Sequence, residues 1–258
     1  YLFCGYERLG DYVMKGIMVT GGAHGIGKQI CLTFLEKGYQ VCFMDINEEL
    51  GKAFELGHEH LHFFYGDVKD QMQLKAFVDF SLEKMKRIDV LVNNACYGKA
   101  GILSNASYED FDEVLAVGLK APYELSRLCK DELTKNQGRI INIASSRAFQ
   151  SEPDTECYAS AKGGIVALTH ALAISLGPNV LVNCIAPGWI DVNDTKEFSK
   201  ADTTAIPAGK VGHPKDISEA VLFLVNQDFI TGETITIDGG MNKRMIYHGD
   251  WHWEYHPE

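Results

Sequence analysis

Tyr158 and Lys162 stand four residues apart in a stretch with helical patterning, so the two side chains share one face. An ammonium beside a phenol favours the phenolate and is expected to lower the tyrosine pKa from its usual value of about 10. Such a tyrosine acts as general base when an alcohol is oxidised and as general acid when a carbonyl is reduced. Ser145 lies thirteen residues before Tyr158, at the end of an apolar run. Its hydroxyl is placed to hold the substrate oxygen and stabilise developing negative charge. Taken singly, each residue also reads as an ordinary helix pair or loop serine.

A second constellation lies near the start of the chain. The segment 20–27, TGGAHGIG, follows an apolar run and opens a helical pattern. Gly21, Gly25 and Gly27 allow a tight turn and close approach of backbone N–H groups to a pyrophosphate, flanked by His24 and Ile26. The helix N-terminus adds partial positive charge there. Asp45 follows 18 residues after Gly27, near the roughly 20 expected for an acid that binds ribose hydroxyls. That carboxylate favours NAD over the 2′-phosphorylated form; the alternative role is a turn or helix-capping residue. Residues 22–28 also spell GxxxxGK, but Gln29 stands where a phosphate-binding loop needs Ser or Thr for magnesium, which argues against nucleotide hydrolysis.

These residues need a scaffold of alternating strands and helices. Apolar runs at 16–20, 41–45, 61–65, 88–92, 139–144 and 180–185 read as buried parallel strands, with a shorter one at 234–237. Helical stretches span 26–37, 71–86, 108–135, 159–176 and 214–225. The alternation predicts an α/β fold, a single Rossmann-type doubly wound parallel sheet with helices on both faces. Residues 1–13 read as an extension, 14–241 as one domain, and 242–258 as an aromatic tail that docks on this or a neighbouring subunit. The polar segment 191–207 reads as a lid over the ligand cleft, its alternative a plain surface connection.

The chain carries a formal charge of -11, which disfavours nucleic acid and anionic membrane surfaces as partners. No stretch approaches about 18 uncharged apolar residues, and no basic-then-apolar leader opens the sequence. Seven cysteines without a CxxC pair read as reduced thiols in a cytoplasmic protein. His58, His60 and His62, and His248, His252 and His256, are regularly spaced, but no acid or cysteine completes either set, so no metal is expected. Arg147, Phe149, Gln150 and Glu152 are placed to border the substrate; Arg147 suits a carboxylate or is a solvated loop charge.

Together these segments resemble the short-chain dehydrogenase/reductase family from about residue 14 to 241. The matching stretches are TGGAHGIG, Asp45, Asp67-Val68, NNA (93–95), Ser145, YASAK (158–162), PGWI (187–190) and DGG (238–240). The resemblance implies a catalytic set of Ser145, Tyr158 and Lys162. It also implies coenzyme contacts from Gly21, His24, Gly25, Ile26, Gly27, Asp45, Asp67, Val68, Asn93, Ala95, Tyr158, Lys162, Pro187, Gly188 and Ile190. Asp67 then meets the adenine, Lys162 the nicotinamide ribose, and the backbone near Ile190 the carboxamide. The implied activity is NAD(H)-dependent hydride transfer to or from a small-molecule carbonyl/alcohol substrate, in a homodimer or homotetramer paired through the helices at 108–135 and 159–176. Three positions depart from the family pattern: Cys96 for a glycine, Gly118 for an asparagine that holds a water relaying protons to the lysine, and Val192 for a threonine. They imply a modified relay, and leave as the alternative a dinucleotide-binding regulatory protein with weak or no turnover.

Overall fold

A computed structural model describes residues 14–195 and 197–245. Seven strands form one sheet in the order β3-β2-β1-β4-β5-β6-β7, every neighbouring pair parallel. They are β1 Gly16–Thr20, β2 Gln40–Asp45, β3 Leu61–Tyr65, β4 Val90–Asn93, β5 Arg139–Ile143, β6 Leu181–Pro187 and β7 Thr234–Ile237. All five β1 residues are buried, as continuous apolar runs require when helices cover both faces. One face packs a core of Ile17, Val19, Phe34, Val41, Phe43 and Val221; the other packs Met18, Met44, Phe77, Leu91, Leu125 and Leu133.

The covering helices are α1 Gly25–Glu36, α2 Glu48–Glu55, α3 Gln71–Met85, α4 Tyr108–Leu115, α5 Ala121–Lys135, α6 Glu156–Leu176, α7 Lys200–Ala205 and α8 Pro214–Val225. Side-chain caps fix several starts: Asn47 accepts from the Leu50 N–H, Asp70 from Met72 and Gln73, and Ser107 forms a capping box with Asp110. Two helices were not expected from the sequence. α2 is short and polar with a glycine inside, and α7 lies within the segment read as a lid.

The long helix expected at 108–135 is two helices joined by a π-turn, Ala116–Lys120. Gly118 sits in that turn, buried against α6: a Cβ there would lie 3.0 Å from the Ala161 Cβ. The glycine therefore sets how closely this turn approaches the helix carrying Tyr158 and Lys162.

Strand order reverses between β1 and β4, and a crevice opens at the carboxyl ends of the strands beside that switch point. Among the described residues one helix, α6, is long and apolar enough by composition to cross a bilayer, an exception to the reading that no stretch approaches that length. Here it packs beside β6.

Candidate active site

The crevice encloses about 760 Å3. Its walls come from the ends of four adjacent strands: Gly21, His24, Gly25 and Ile26 after β1, Asp45 at the end of β2, Asp67 and Val68 after β3, and Asn94, Ala95 and Cys96 after β4. The glycine loop is a close-packed cradle. A Cβ on Gly27 would stand 2.0 Å from the Gly21 carbonyl oxygen, so no side chain fits. Asn94 fixes the loop from below, its Nδ2 donating to the Thr20 and Gly21 carbonyls at 2.9 and 3.0 Å. Asp45 Oδ2 accepts from the Ala23 N–H and Oδ1 from the Asn47 N–H, each at 2.9 Å. The acid thus ties the loop to β2 while facing the crevice, and Asn47, not Asp45, caps α2. A backbone cradle with a carboxylate at its far end fits a dinucleotide.

Lys28, the lysine of the phosphate-loop alternative, does not line the crevice; its Nζ stands 5.2 Å from the Phe54 ring centroid. The two lysines that do line it are both ion-paired. Lys69 pairs with Glu113 and, at 3.5 Å, with Asp67. Lys99 pairs with Asp110 at 2.5 Å and Glu113 at 2.6 Å. The hydrogen bonds from Lys69 and Lys99 hold the Glu113 carboxyl down at about 2.

Asn93, expected to help fix the fourth strand near the coenzyme and grouped with its contacts, fixes the strand and does not line the crevice. It is buried inside the sheet, where its Nδ2 donates to Asn142 Oδ1 at 2.8 Å. Neighbouring residues on a strand point to opposite faces, and here Asn94 takes the crevice. Asn142 Nδ2 donates in turn to Thr169 Oγ1 at 2.9 Å, and the Thr169 hydroxyl donates to the Ile165 carbonyl. This polar chain anchors α6 to β4 and β5.

α6 carries Tyr158 and Lys162 beside the β4 loop, where a Cβ on Gly98 would come 3.5 Å from the Tyr158 ring; neither residue lines the crevice itself. Lys162 is 2% exposed, and its Nζ donates to the Ile143 carbonyl at 2.7 Å. The same Nζ lies 5.4 Å from the Tyr158 ring centroid. Ser145 lies two residues past β5 and opens a 3-10 turn, and its hydroxyl pulls the Tyr158 phenol down. The three expected catalytic residues therefore meet.

Their electrostatics differ from the expectation in one respect. The Tyr158 phenol stands above its ordinary value because burial outweighs the pull of Lys162 and Ser145. Burial also works against the Lys162 ammonium, but Cys96 and Tyr158 more than offset it and hold its pKa up. Cys96, which lines the crevice, acts to raise both values.

After β6, Pro187 ends the strand and Gly188 packs against Asp238. Ile190 bridges Gly212 and packs on the core. None of the three lines the crevice; Val192 does, closing on Gly25, where a Cβ would meet its Cγ1 at 3.0 Å. Arg147 pairs with Glu152, and its backbone N–H donates to Ser145 Oγ at 3.2 Å. Among the described residues no group of three His, Cys, Asp or Glu is set to hold a metal; His248, His252, His256 and the tail aromatics lie outside them.

Residues 21–242 match the family model described as enoyl-(acyl carrier protein) reductase. The chain belongs to the short-chain dehydrogenase/reductase family. An apo SCOR enzyme structure from Clostridium thermocellum is 69% identical with a TM-score of 0.92, covering 95% of this chain and 99% of that one. An uncharacterized oxidoreductase of Thermotoga maritima is 42% identical over 250 residues, 90% of this chain and 98% of its own. The structure of ElxO with NADP bound is 30% identical with a TM-score of 0.81, covering 90% of this chain and all of that one. This family member is an oxidoreductase built to bind a nicotinamide dinucleotide and act on a small molecule.

Proposed function

We propose that the chain is an NAD(H)-dependent oxidoreductase that interconverts a carbonyl and an alcohol. The observation that carries this reading is the meeting of Ser145, Tyr158 and Lys162 beside the β4 loop that walls a glycine-cradled crevice. The coenzyme supplies or accepts the hydride when bound. Ser145 orients the substrate oxygen, Tyr158 gives or takes its proton, and Lys162 stabilises the phenolate and holds the coenzyme ribose. The residues around the glycine cradle, Gly21 to Gly27, take the pyrophosphate; Asp67 and Val68 take the adenine.

NAD is preferred over NADP because Asp45 faces the crevice where a 2′-phosphate would have to lie, and both lysines on the crevice wall are tied to carboxylates. ElxO, by contrast, was solved with NADP. Nicotinamide fluorescence should show NADH binding more tightly than NADPH. Asp45→Ala should move that ratio toward NADPH by about tenfold or more, since like-charge juxtaposition costs several kcal/mol. Equal binding of both by the wild type would contradict the assignment to NAD. A panel of ketones and alcohols followed at the nicotinamide band then finds the substrate; binding without turnover in either direction would favour a regulatory role.

The same reading makes the protein a homodimer or homotetramer. Large apolar side chains stand exposed on the outward helices: Ile174 on α6 at 85%, Tyr123 on α5 and Tyr108 on α4. A cytoplasmic location suits the six described cysteines, all free.

A further inference from the structure

The loop after β4 lies along the start of α6, contact by contact. A Cβ on Gly98 would come 3.5 Å from the Tyr158 ring, and the Cys157 thiol donates to the Ala100 carbonyl at 3.5 Å. The Ile102 N–H donates to Glu156 Oε2 at 3.1 Å. The Leu103 and Ser104 N–H groups both donate to Asp154 Oδ1, at 2.9 and 3.1 Å, and the Ser104 hydroxyl donates to Asp154 Oδ2. Two carboxylates thus clamp the 3-10 turn Ile102–Ser104 to the residues that open the helix of the proposed general acid. Hydrogen bonds to a charged acceptor are among the strong ones.

What the clamp holds is apolar and faces outward: Ile102 is 74% exposed and Leu103 72%. Scattered exposed apolar residues are ordinary, but grouped ones mark a binding surface. The loops after β5 and β6, the next two strands in the sheet, add exposed Phe149 and Trp189 at the same carboxyl edge. The cations on the loops after β4 and β5 are already paired, Lys99 with Asp110 and Glu113, and Arg147 with Glu152. The clamp itself adds two carboxylates. These surroundings repel an anion and favour an uncharged apolar group.

Resting on the oxidoreductase reading above, we propose that Ile102 and Leu103 are specificity residues that seat an uncharged, apolar substrate body beside the carbonyl held at Tyr158 and Ser145. Asp154 and Glu156 are the positioning residues that hold the pair there. Glu156 precedes Tyr158 by two residues on α6, about 3 Å along the helix axis. An alkyl or aryl group on the reacting carbon therefore has the clamped turn within reach. The substrate class that fits is an apolar ketone or the matching secondary alcohol, not a sugar or an oxo acid.

A series of unbranched 2-alkanones, assayed on the full chain with NADH and with NADPH, tests this. In the wild type kcat/KM should climb by up to about fourfold per added CH2, the worth of burying one such group. 2-Oxo acids of equal length should turn over more slowly. Ile102→Ser and Leu103→Ser, on exposed side chains, should each flatten the climb to below about twofold per CH2, with less effect on NADH binding measured by fluorescence. Asp154 has a φ of +67°, which glycine adopts freely, so Asp154→Gly removes the clamp with little backbone strain. It takes away no apolar group, yet it should flatten the series too, a result that a merely structural role would not give. A wild type without the climb, the same climb in the variants, or preference for 2-oxo acids or sugars would each overturn this assignment alone. So would dissociation of an oligomer by Ile102→Ser in sedimentation, which would make the pair a contact with a second copy. A wild type that turns over no carbonyl or alcohol with either dinucleotide would overturn the oxidoreductase reading and the substrate class with it.

Discussion

Tyr158 sits above the ordinary phenol pKa of about 10 because burial outweighs the nearby ammonium and hydroxyl. The sign of the resulting pH dependence follows. Reduction uses the protonated phenol, so its rate should be flat through neutral pH and fall only in the alkaline range. Oxidation uses the phenolate, the minor form at neutral pH, and should rise with pH up to the phenol pKa. Rate profiles in both directions, at saturating coenzyme, check this; an oxidation rate that is flat from neutral to alkaline pH would contradict it. Tyr158, Lys162 and Ser145 were legible in the sequence because helical spacing and strand ends are local properties. The choice of Asn94 over Asn93 was not. Adjacent strand residues face opposite ways, and only the paired register of Asn93 with Asn142 shows which one turns inward. The net shift of Tyr158 was equally hidden, since burial is a property of the whole fold.

The elements that hold these residues have little slack. Gly27→Ala would drive a methyl group to 2.0 Å from the Gly21 oxygen. The expected cost is about 3 kcal/mol, at the upper end of overpacking, with loss of dinucleotide binding; thermal unfolding and NADH fluorescence measure the two effects. Thr169→Val would break the chain that anchors α6, leaving the fully buried Asn142 amide without its acceptor. That should cost about 1–3 kcal/mol and lower kcat by shifting Tyr158 and Lys162, with a smaller loss of coenzyme affinity because Lys162 also holds the ribose. The major strands and long helices were readable from apolar runs and 3.6-residue periodicity. α2 was not, because eight residues, half of them charged and one a glycine, give no apolar stripe long enough to recognise. The π-turn was not readable either: it arises where the turn around Gly118 packs against Ala161 on α6, a contact between helices far apart in sequence.

At the scale of the whole molecule, the strand order places the switch point, the glycine cradle and the catalytic trio along one edge of the sheet. The alternation of strand and helix foretold that arrangement, since a parallel sheet with right-handed crossovers leaves few other topologies. Net charge and composition excluded partners but named no substrate. The exposed Ile174 on the outer side of α6 predicts association. Ile174→Glu, on a residue 85% exposed in the single chain, should leave the fold intact yet dissociate the oligomer. Sedimentation at micromolar concentration would show the change; a wild type that is already monomeric would refute it. The most direct test of the central claim sets the wild type beside Tyr158→Phe with NADH and the substrate found in the panel. Both proteins should bind NADH alike, and the variant should turn over at least about 100-fold more slowly, the loss expected when a general acid is removed. Equal turnover by the two would contradict the account.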